Sequence, residues 1–238
     1  MRELSFPSSA DEILDRRARI LHSLCTMDKE FSSVPVRSIR QETLDEMLRL
    51  YDDLFLESRL THAFGALRVT LSSRLISAAG KFIYARSRDC RLSQAEIRMS
   101  GDFLMRLGYG PFLLNGLTVS LPQEAFLVVF EHELCHALET ALYGETGHSK
   151  RFLSLANHLF GHTTTTHQLP TRKLEAAQSG IRVGAWCSFP YQDRMLKGQI
   201  TYVGKTATVM VRSATGEYRD RSGKRYIKYR VPLKLLSI

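Results

Sequence analysis

Two histidines and a glutamate near the middle of the chain have the types and the spacing that metal-dependent hydrolysis needs. His132, Glu133 and His136 form a His-Glu-x-x-His motif in a stretch predicted to be helical. Residues i and i+4 lie about 40° apart around an α-helix, so both imidazoles point into one space, and neutral imidazole is a good zinc ligand. Glu133 lies beside that space, where it can take a proton from an attacking water and deliver it to a leaving amine. The motif therefore predicts a zinc site with a general base.

A catalytic zinc site needs a third protein ligand, and His148 is the one that we predict. A break containing Gly144 and Gly147 precedes it and lets the chain reverse, so that His148 opens the next helix. Glu139 lies on the same helical face as the motif histidines, and it is either a group near the metal or substrate, or a solvated side chain. The other candidates for the third ligand are His158, His162, His167 and Glu175.

Cys135, inside the motif, allows two interpretations. Its thiol follows His132 by three residues and can approach the metal, where a bound thiolate would block the open position. The interpretation that we favour is a small buried hydrophobic side chain. The four cysteines of the chain are scattered, with no Cys-x-x-Cys pair. Neither a disulfide framework nor a cysteine-based zinc ribbon is therefore predicted.

Helices and short strands are predicted around the motif. Ser9-x-x-Glu12 is a capping box that starts a first helix, and apolar spacing predicts a second helix from Leu44 to Phe55. The longest helical pattern carries the motif. The predicted ranges are 123–143 and 149–160 for the later helices, 67–71, 81–86 and 95–100 for strands, and 109–121 for a loop with at most one short strand.

Several further segments flank the motif in a characteristic order. Gly147-His148-x-x-x-Phe152 follows it after eleven residues, and Tyr51-x-x-Leu54 precedes it on a helix. The other segments are Phe64-Gly65-x-Leu67-x-Val69, Ser73-Arg74-Leu75, Ala79-Gly80, Ile97 and Ser100. Taken together, they resemble the SprT-like zinc metalloprotease family, whose best-known members are the Spartan DNA–protein crosslink proteases. The resemblance covers roughly residues 43–162.

The resemblance implies a zincin-type fold of helices with a small antiparallel sheet. It also implies His132, His136 and His148 as zinc ligands, Glu133 as the general base, and proteins on DNA or crosslinked to it as substrates. The chain departs from the family in three places. The stretch 108–122 is longer than usual, Cys135 occupies a variable position of the motif, and a basic β domain replaces the zinc ribbon of some members.

The remaining segments complete a four-part organisation. Residues 1–42 are predicted as an N-terminal helical extension and residues 163–180 as a threonine-rich linker. Glycines and charged turns then separate short strand candidates in residues 181–238, which predict a small SH3-like barrel. These candidates are Val183, 200–203, 207–211 and 226–229. The predicted fold class is therefore α+β, a metalloprotease domain of residues 43–162 followed by an all-β domain.

The net charge of +9 belongs entirely to the C-terminal segment. Residues 181–238 hold twelve Lys and Arg against three Asp and Glu, whereas residues 1–180 net zero. Basic residues interleaved with aromatic ones are typical of single-stranded nucleic acid binding, although a protein partner or a merely solubilising face remains an alternative. The residues predicted to contact DNA are Trp186, Lys197, Lys205, Arg219, Arg221, Lys224, Arg225, Lys228 and Arg230.

These observations predict a zinc endopeptidase that a basic module holds on DNA. One alternative is a cytosolic metalloprotease whose β domain recruits protein substrates, and another is a non-catalytic DNA-binding protein with a structural zinc. The charged N-terminus has no signal-peptide pattern, and no apolar run is long enough to span a bilayer. We therefore expect no membrane partner and a cytoplasmic location, associated with the nucleoid or, in a eukaryote, nuclear.

Overall fold

The chain folds into two compact units, Met1–Leu169 and Pro170–Ile238. The computed structural model describes residues 9–64, 67–86, 92–166, 169, 176–177 and 179–238. Helices and a mixed sheet build the first unit, and an all-antiparallel sheet builds the second. This confirms the predicted combination of a helix-and-sheet part with an all-β C-terminal part. No helix in the described part of the chain combines the length and apolar character that crossing a membrane requires.

Two helices of the first unit, α1 (Ala10–Met27) and α6 (Lys150–Phe160), begin directly after a capping serine. The Ser9 hydroxyl accepts the Glu12 amide at 3.2 Å, and the Ser149 hydroxyl accepts the Phe152 amide at 3.3 Å, so each serine caps a helix. Buried apolar residues at helical spacing then hold each long helix in the core. The helices are α1 (Ala10–Met27), α2 (Gln41–Phe55), α3 (Arg59–Phe64), α4 (Gly101–Leu104), α5 (Pro122–Tyr143) and α6 (Lys150–Phe160).

The sheet of the first unit is mixed, whereas the family resemblance implied an antiparallel one. Its strands are β1 (Leu67–Ser72), β2 (Gly80–Arg86) and β3 (Leu92–Ser100), in the order β1-β3-β2. β3 pairs antiparallel with β2 and parallel with β1. The reason is topological, because β2 reverses the chain and β3 returns between its two predecessors. The sheet packs against α5 and leaves β2 as an edge strand next to that helix.

A short hairpin replaces the loop predicted for residues 109–121. Strands β4 (Phe112–Leu114) and β5 (Leu117–Val119) are joined by Asn115 and Gly116, which both have positive φ and form the type I′ turn that this dipeptide favours. The amides of Thr163 and Thr164 donate to the Asn115 carbonyl at 2.9 and 3.1 Å. The structure therefore places the first threonines of the predicted linker on the hairpin, within the first unit.

A buried ion pair joins the N-terminal helix to α5. Arg17 donates from Nε and Nη2 to the two carboxylate oxygens of Glu131 at 2.7 and 2.8 Å, and Tyr51 and His162 donate to the same carboxylate. Burial would favour the neutral acid, but Arg17 and His162 lower the pKa of Glu131 to about 2. The carboxylate is therefore charged and fully paired, and α1 is part of the first unit's core.

Arg17→Met is expected to destabilise the first unit by about 3–5 kcal/mol, because it leaves the Glu131 charge buried without its main partner. Urea unfolding should be followed by far-ultraviolet circular dichroism, since α1, α2, α5 and α6 lie in the first unit. Fluorescence of the single tryptophan, Trp186, reports the second unit separately. Arg19→Met, at an exposed ion pair, is the matched control and should change little. Equal unfolding of the two variants would contradict the role given to Arg17.

The second unit contains a five-stranded antiparallel sheet among its described residues. Its order is β6-β7-β8-β10-β9, and Phe189, Ile200 and Val209 form the centre of its small core. The strand predicted at Val183 is wrong, because this residue lies in a turn before the first strand. The elements are β6 (Trp186–Tyr191), β7 (Arg194–Val203), β8 (Thr206–Arg212), β9 (Tyr218–Arg219), β10 (Arg225–Pro232) and a 3-10 turn (Leu233–Leu235).

Candidate metal centre and nucleic-acid interface

Helix α5 carries the motif through the core of the first unit. Pro122 occupies its first turn, and the Glu124 carboxylate accepts the amides of Ser120 and Leu121 at 2.9 Å each, which satisfies backbone donors at the helix start. Gly144, in the left-handed conformation, ends the helix. Most residues between these ends are buried, so the position of the motif is fixed by packing on several sides.

The three predicted metal ligands converge on one point. His132 Nε2 lies 3.0 Å from His148 Nε2 and 3.2 Å from His136 Nε2. His132 is buried, His136 is partly buried and His148 is exposed, so the cluster is open on the His148 side. Among the described residues, this is the group of side chains whose donor atoms gather closely enough to hold a metal ion.

The donor set fits a small divalent transition ion. Three neutral imidazoles bind such an ion through Nε2, and nitrogen ligands at about 2.0–2.1 Å in a tetrahedron lie about 3.3–3.4 Å from one another. The observed separations of 3.0 and 3.2 Å are within a few tenths of an ångström of that value. The site can therefore hold a metal ion with little movement of its side chains.

The other candidates for the third ligand have different environments. His162 is buried on the ion pair behind α5, where its Nε2 lies 2.9 Å from a Glu131 oxygen. His158 is exposed on α6 and contacts Ser154. Glu139 is fully buried, so the interpretation as a solvated side chain is wrong. His167 and Glu175 lie outside the described residues.

Glu133 faces the edge strand β2. The Phe82 amide donates a hydrogen bond to its carboxylate, and burial raises the pKa of that carboxyl to about 7. A divalent cation nearby would oppose this shift, because it favours the charged form. A Cβ at Gly80 would lie 2.6 Å from Glu133 Cγ, so the strand approaches the glutamate as closely as it does because residue 80 is glycine.

Cys135 belongs to the core rather than to the metal cluster. Its side chain is fully buried among apolar residues, and its thiol is not one of the atoms that converge with the histidines. Burial raises the pKa of the thiol well above its usual value, which favours the neutral form. The structure therefore supports the interpretation of Cys135 as a small hydrophobic side chain.

One face of the second unit's sheet combines cations with aromatic rings. Phe189, Ile200 and Val209 point to the core, so their strand neighbours point to the opposite side, which we call the outward face. Strand register aligns its residues in rows across the sheet. The rows are Trp186–Gln199–Met210–Lys228, Tyr202–Thr208–Arg230 and Arg212–Tyr226–Tyr218, and Lys197 lies beside them opposite Ser188. The described strands of this unit contain no Asp or Glu.

The predicted DNA contacts fall into two groups. Trp186, Lys197, Lys228 and Arg230 lie on the outward face, where Trp186 is 57% exposed. The other five lie in turns or, on β9 and β10, point to the opposite face of the sheet. Arg219 and Arg225 pair with each other on β9 and β10, Arg221 and Lys224 lie in the turn between those strands, and Lys205 lies in the turn between β7 and β8.

Sequence analysis missed Arg212 and Tyr202 as members of this face. Alternation along β8 would have pointed to Arg212, because every second residue from Ala207 to Val211 is apolar. The pairing of β7 with β8 shifts in register between Ile200 and Tyr202, which breaks the simple alternation of inward and outward side chains along β7. Its place beside Thr208 is thus a property of the three-dimensional pairing.

Comparison with family models and with curated protein sequences returns no match for this chain. A functional assignment therefore depends on the geometry of the two sites and on the motifs that resemble the SprT-like family.

Proposed function

We propose that the first unit is a zinc-dependent endopeptidase of the SprT-like type with a zincin fold. The observation that carries this proposal is the convergence of three imidazole Nε2 atoms, two from α5 and one from the loop before α6, beside the buried Glu133 of α5. A site with three protein ligands leaves one coordination position open, which is typical of catalytic rather than structural zinc. This also argues against a non-catalytic protein with a structural zinc.

Zinc at this site would supply Lewis acidity that polarises a peptide carbonyl. Glu133 accepts the proton of the attacking water and then delivers it to the amine that leaves the cleaved bond. The Phe82 amide holds one end of the glutamate toward β2, and Gly80 allows that approach. A histidine nitrogen binds a metal only when it carries no proton, so the zinc would be held by the unprotonated Nε2 atoms of His132, His136 and His148.

We assign to the second unit a small SH3-like barrel that binds single-stranded DNA. Backbone hydrogen bonds of 2.8 and 2.9 Å between Ser188 and Ser237 bring the chain end back onto β6, as barrel closure requires. On the outward face, exposed rings can stack on bases and four cations can contact phosphates. The cations are Lys197, Arg212, Lys228 and Arg230.

The double variant Lys197→Ala, Lys228→Ala is expected to bind DNA more weakly than the wild type. Its affinity should also depend less steeply on salt concentration. Four phosphate contacts give a slope of about −2.8 in log K against log salt, or roughly 50-fold weaker binding between 50 and 200 mM, and removing two cations should lower the slope to about −1.4. Fluorescence anisotropy with a labelled single strand measures both. The matched control is Arg221→Ala with Lys224→Ala, in the turn. Equal losses in the two pairs would rule out the outward face.

The decisive test of the whole proposal is cleavage of a DNA-binding protein, with and without single-stranded DNA, together with metal analysis. Zinc-dependent cleavage that DNA stimulates supports it. Cleavage that DNA leaves unchanged favours a metalloprotease whose β domain recruits proteins. Bound zinc without any turnover favours a non-catalytic DNA-binding protein.

A further inference from the structure

A buried carboxylate organises the segment that presents the third histidine. Glu139 follows His136 by three residues on α5, and its side chain has no exposed surface. It accepts hydrogen bonds from the segment 144–149, here called the histidine loop, and from the first turn of α6. Its donors are the Gly147 amide at 3.0 Å, the Arg151 Nε at 2.9 Å, the Ser149 hydroxyl at 3.4 Å and the Thr146 hydroxyl.

The same carboxylate reaches a motif histidine through Thr146. His136 Nδ1 lies 2.7 Å from Thr146 Oγ1, and the Thr146 hydroxyl is hydrogen-bonded to Glu139. An ionised carboxylate only accepts hydrogen bonds, so the hydroxyl hydrogen points to Glu139 and the lone pairs of Oγ1 face Nδ1. Arg151 and Gly147 keep the pKa of Glu139 below its usual value despite burial, which maintains that ionised state.

This arrangement selects one tautomer of His136. When Oγ1 of Thr146 is an acceptor, Nδ1 of His136 carries the ring proton, and the unprotonated Nε2 presents its lone pair to the cluster. Outer hydrogen bonds of this kind fix both the orientation and the basicity of a metal-binding imidazole.

We propose that Thr146 and Glu139 are positioning residues that set the metal affinity of the three-histidine site. Thr146 fixes the tautomer of His136. Glu139 holds Thr146 in place and, through the Gly147 amide, also holds the histidine loop that carries His148. One buried carboxylate thereby aligns two of the three ligands. This inference rests on the proposed metal centre and adds the residues that keep it in its binding-competent form.

Thr146→Val is the direct test, because valine keeps the shape of threonine and removes the hydroxyl. The dissociation constant for Co²⁺, from visible absorption of the metal-free full chain, and for Zn²⁺, from competition with a chelator, should rise about 10–100-fold. Thr146→Ser restores the hydroxyl and should restore the affinity to within a few-fold. Thr118→Val, at an exposed position of β5, is the matched control and should bind like the wild type.

Thermal unfolding of the metal-free proteins separates positioning from folding, and Thr146→Val should melt close to the wild type. Glu139→Gln is a second variant should Thr146→Val fail to fold. Its amide can donate to Oγ1 and reverse the hydroxyl, so it should also weaken metal binding. Wild-type affinity in either folded variant would overturn the positioning role of Thr146 and Glu139 but not the metal centre. Absence of metal binding by the wild type would overturn that role and the proposed metal centre together.

Discussion

Replacing Glu133 by glutamine is expected to lower the rate of peptide hydrolysis by about 10²–10⁴-fold while metal binding is retained. Glutamine has nearly the same shape, so it fits the narrow space between α5 and Gly80, but its amide cannot accept a proton from water. Because Glu133 is beside the three histidines and is not one of them, the ligand set stays complete. The measurement is kcat/KM on a DNA-bound protein together with the metal content of each preparation.

Glu30→Gln is the matched control for this prediction, since Glu30 is an exposed glutamate elsewhere in the first unit. It should cleave at the wild-type rate. Wild-type cleavage by Glu133→Gln would show that another group moves the proton. Loss of metal in Glu133→Gln would show instead that the glutamate supports the ligand set.

Removing His148 should weaken metal binding on the order of 10²–10³-fold and stop turnover. The free energy of binding structural zinc, about 10–16 kcal/mol over four ligands, corresponds to roughly 2.5–4 kcal/mol for each. His148→Ala removes one of three ligands at an exposed position, so the fold should tolerate the change. Chelator competition measures the affinity, and the cleavage assay measures turnover.

His158→Ala tests whether this effect is specific, because His158 is an exposed histidine on α6 that contacts Ser154 and lies outside the three-histidine cluster. It should retain metal affinity and activity. A strong loss of metal from His158→Ala, or none from His148→Ala, would refute the assignment of the third ligand.

Local rules of sequence account for the parts of the site that lie close together along the chain. Helical periodicity places His132 and His136 on one face, and a glycine-bearing break followed by a serine cap places His148 at the start of α6. The helix starts at Ser9 and Ser149 follow from capping chemistry alone. These features need no knowledge of distant contacts.

The features that sequence analysis missed depend on contacts between distant segments or on a turn signal left unused. The parallel pairing of β1 with β3 is decided by where β3 inserts, and Arg17 meets Glu131 across 114 positions of sequence. The outward face depends on strand register. The hairpin at Asn115-Gly116, in contrast, could be predicted from the sequence, since this dipeptide between apolar residues is a strong hairpin signal.

The ion pair between Arg17 and Glu131 also limits how far the chain can be shortened ahead of α5. A fragment cut to residues 43–162, the span of the family resemblance, would lose α1 and with it the cation that neutralises Glu131, the residue next to His132. It would also lose the threonines that bind the hairpin turn. A fragment that keeps the surroundings of the three histidines therefore has to include the chain from the Ser9 cap to the end of the first unit at Leu169.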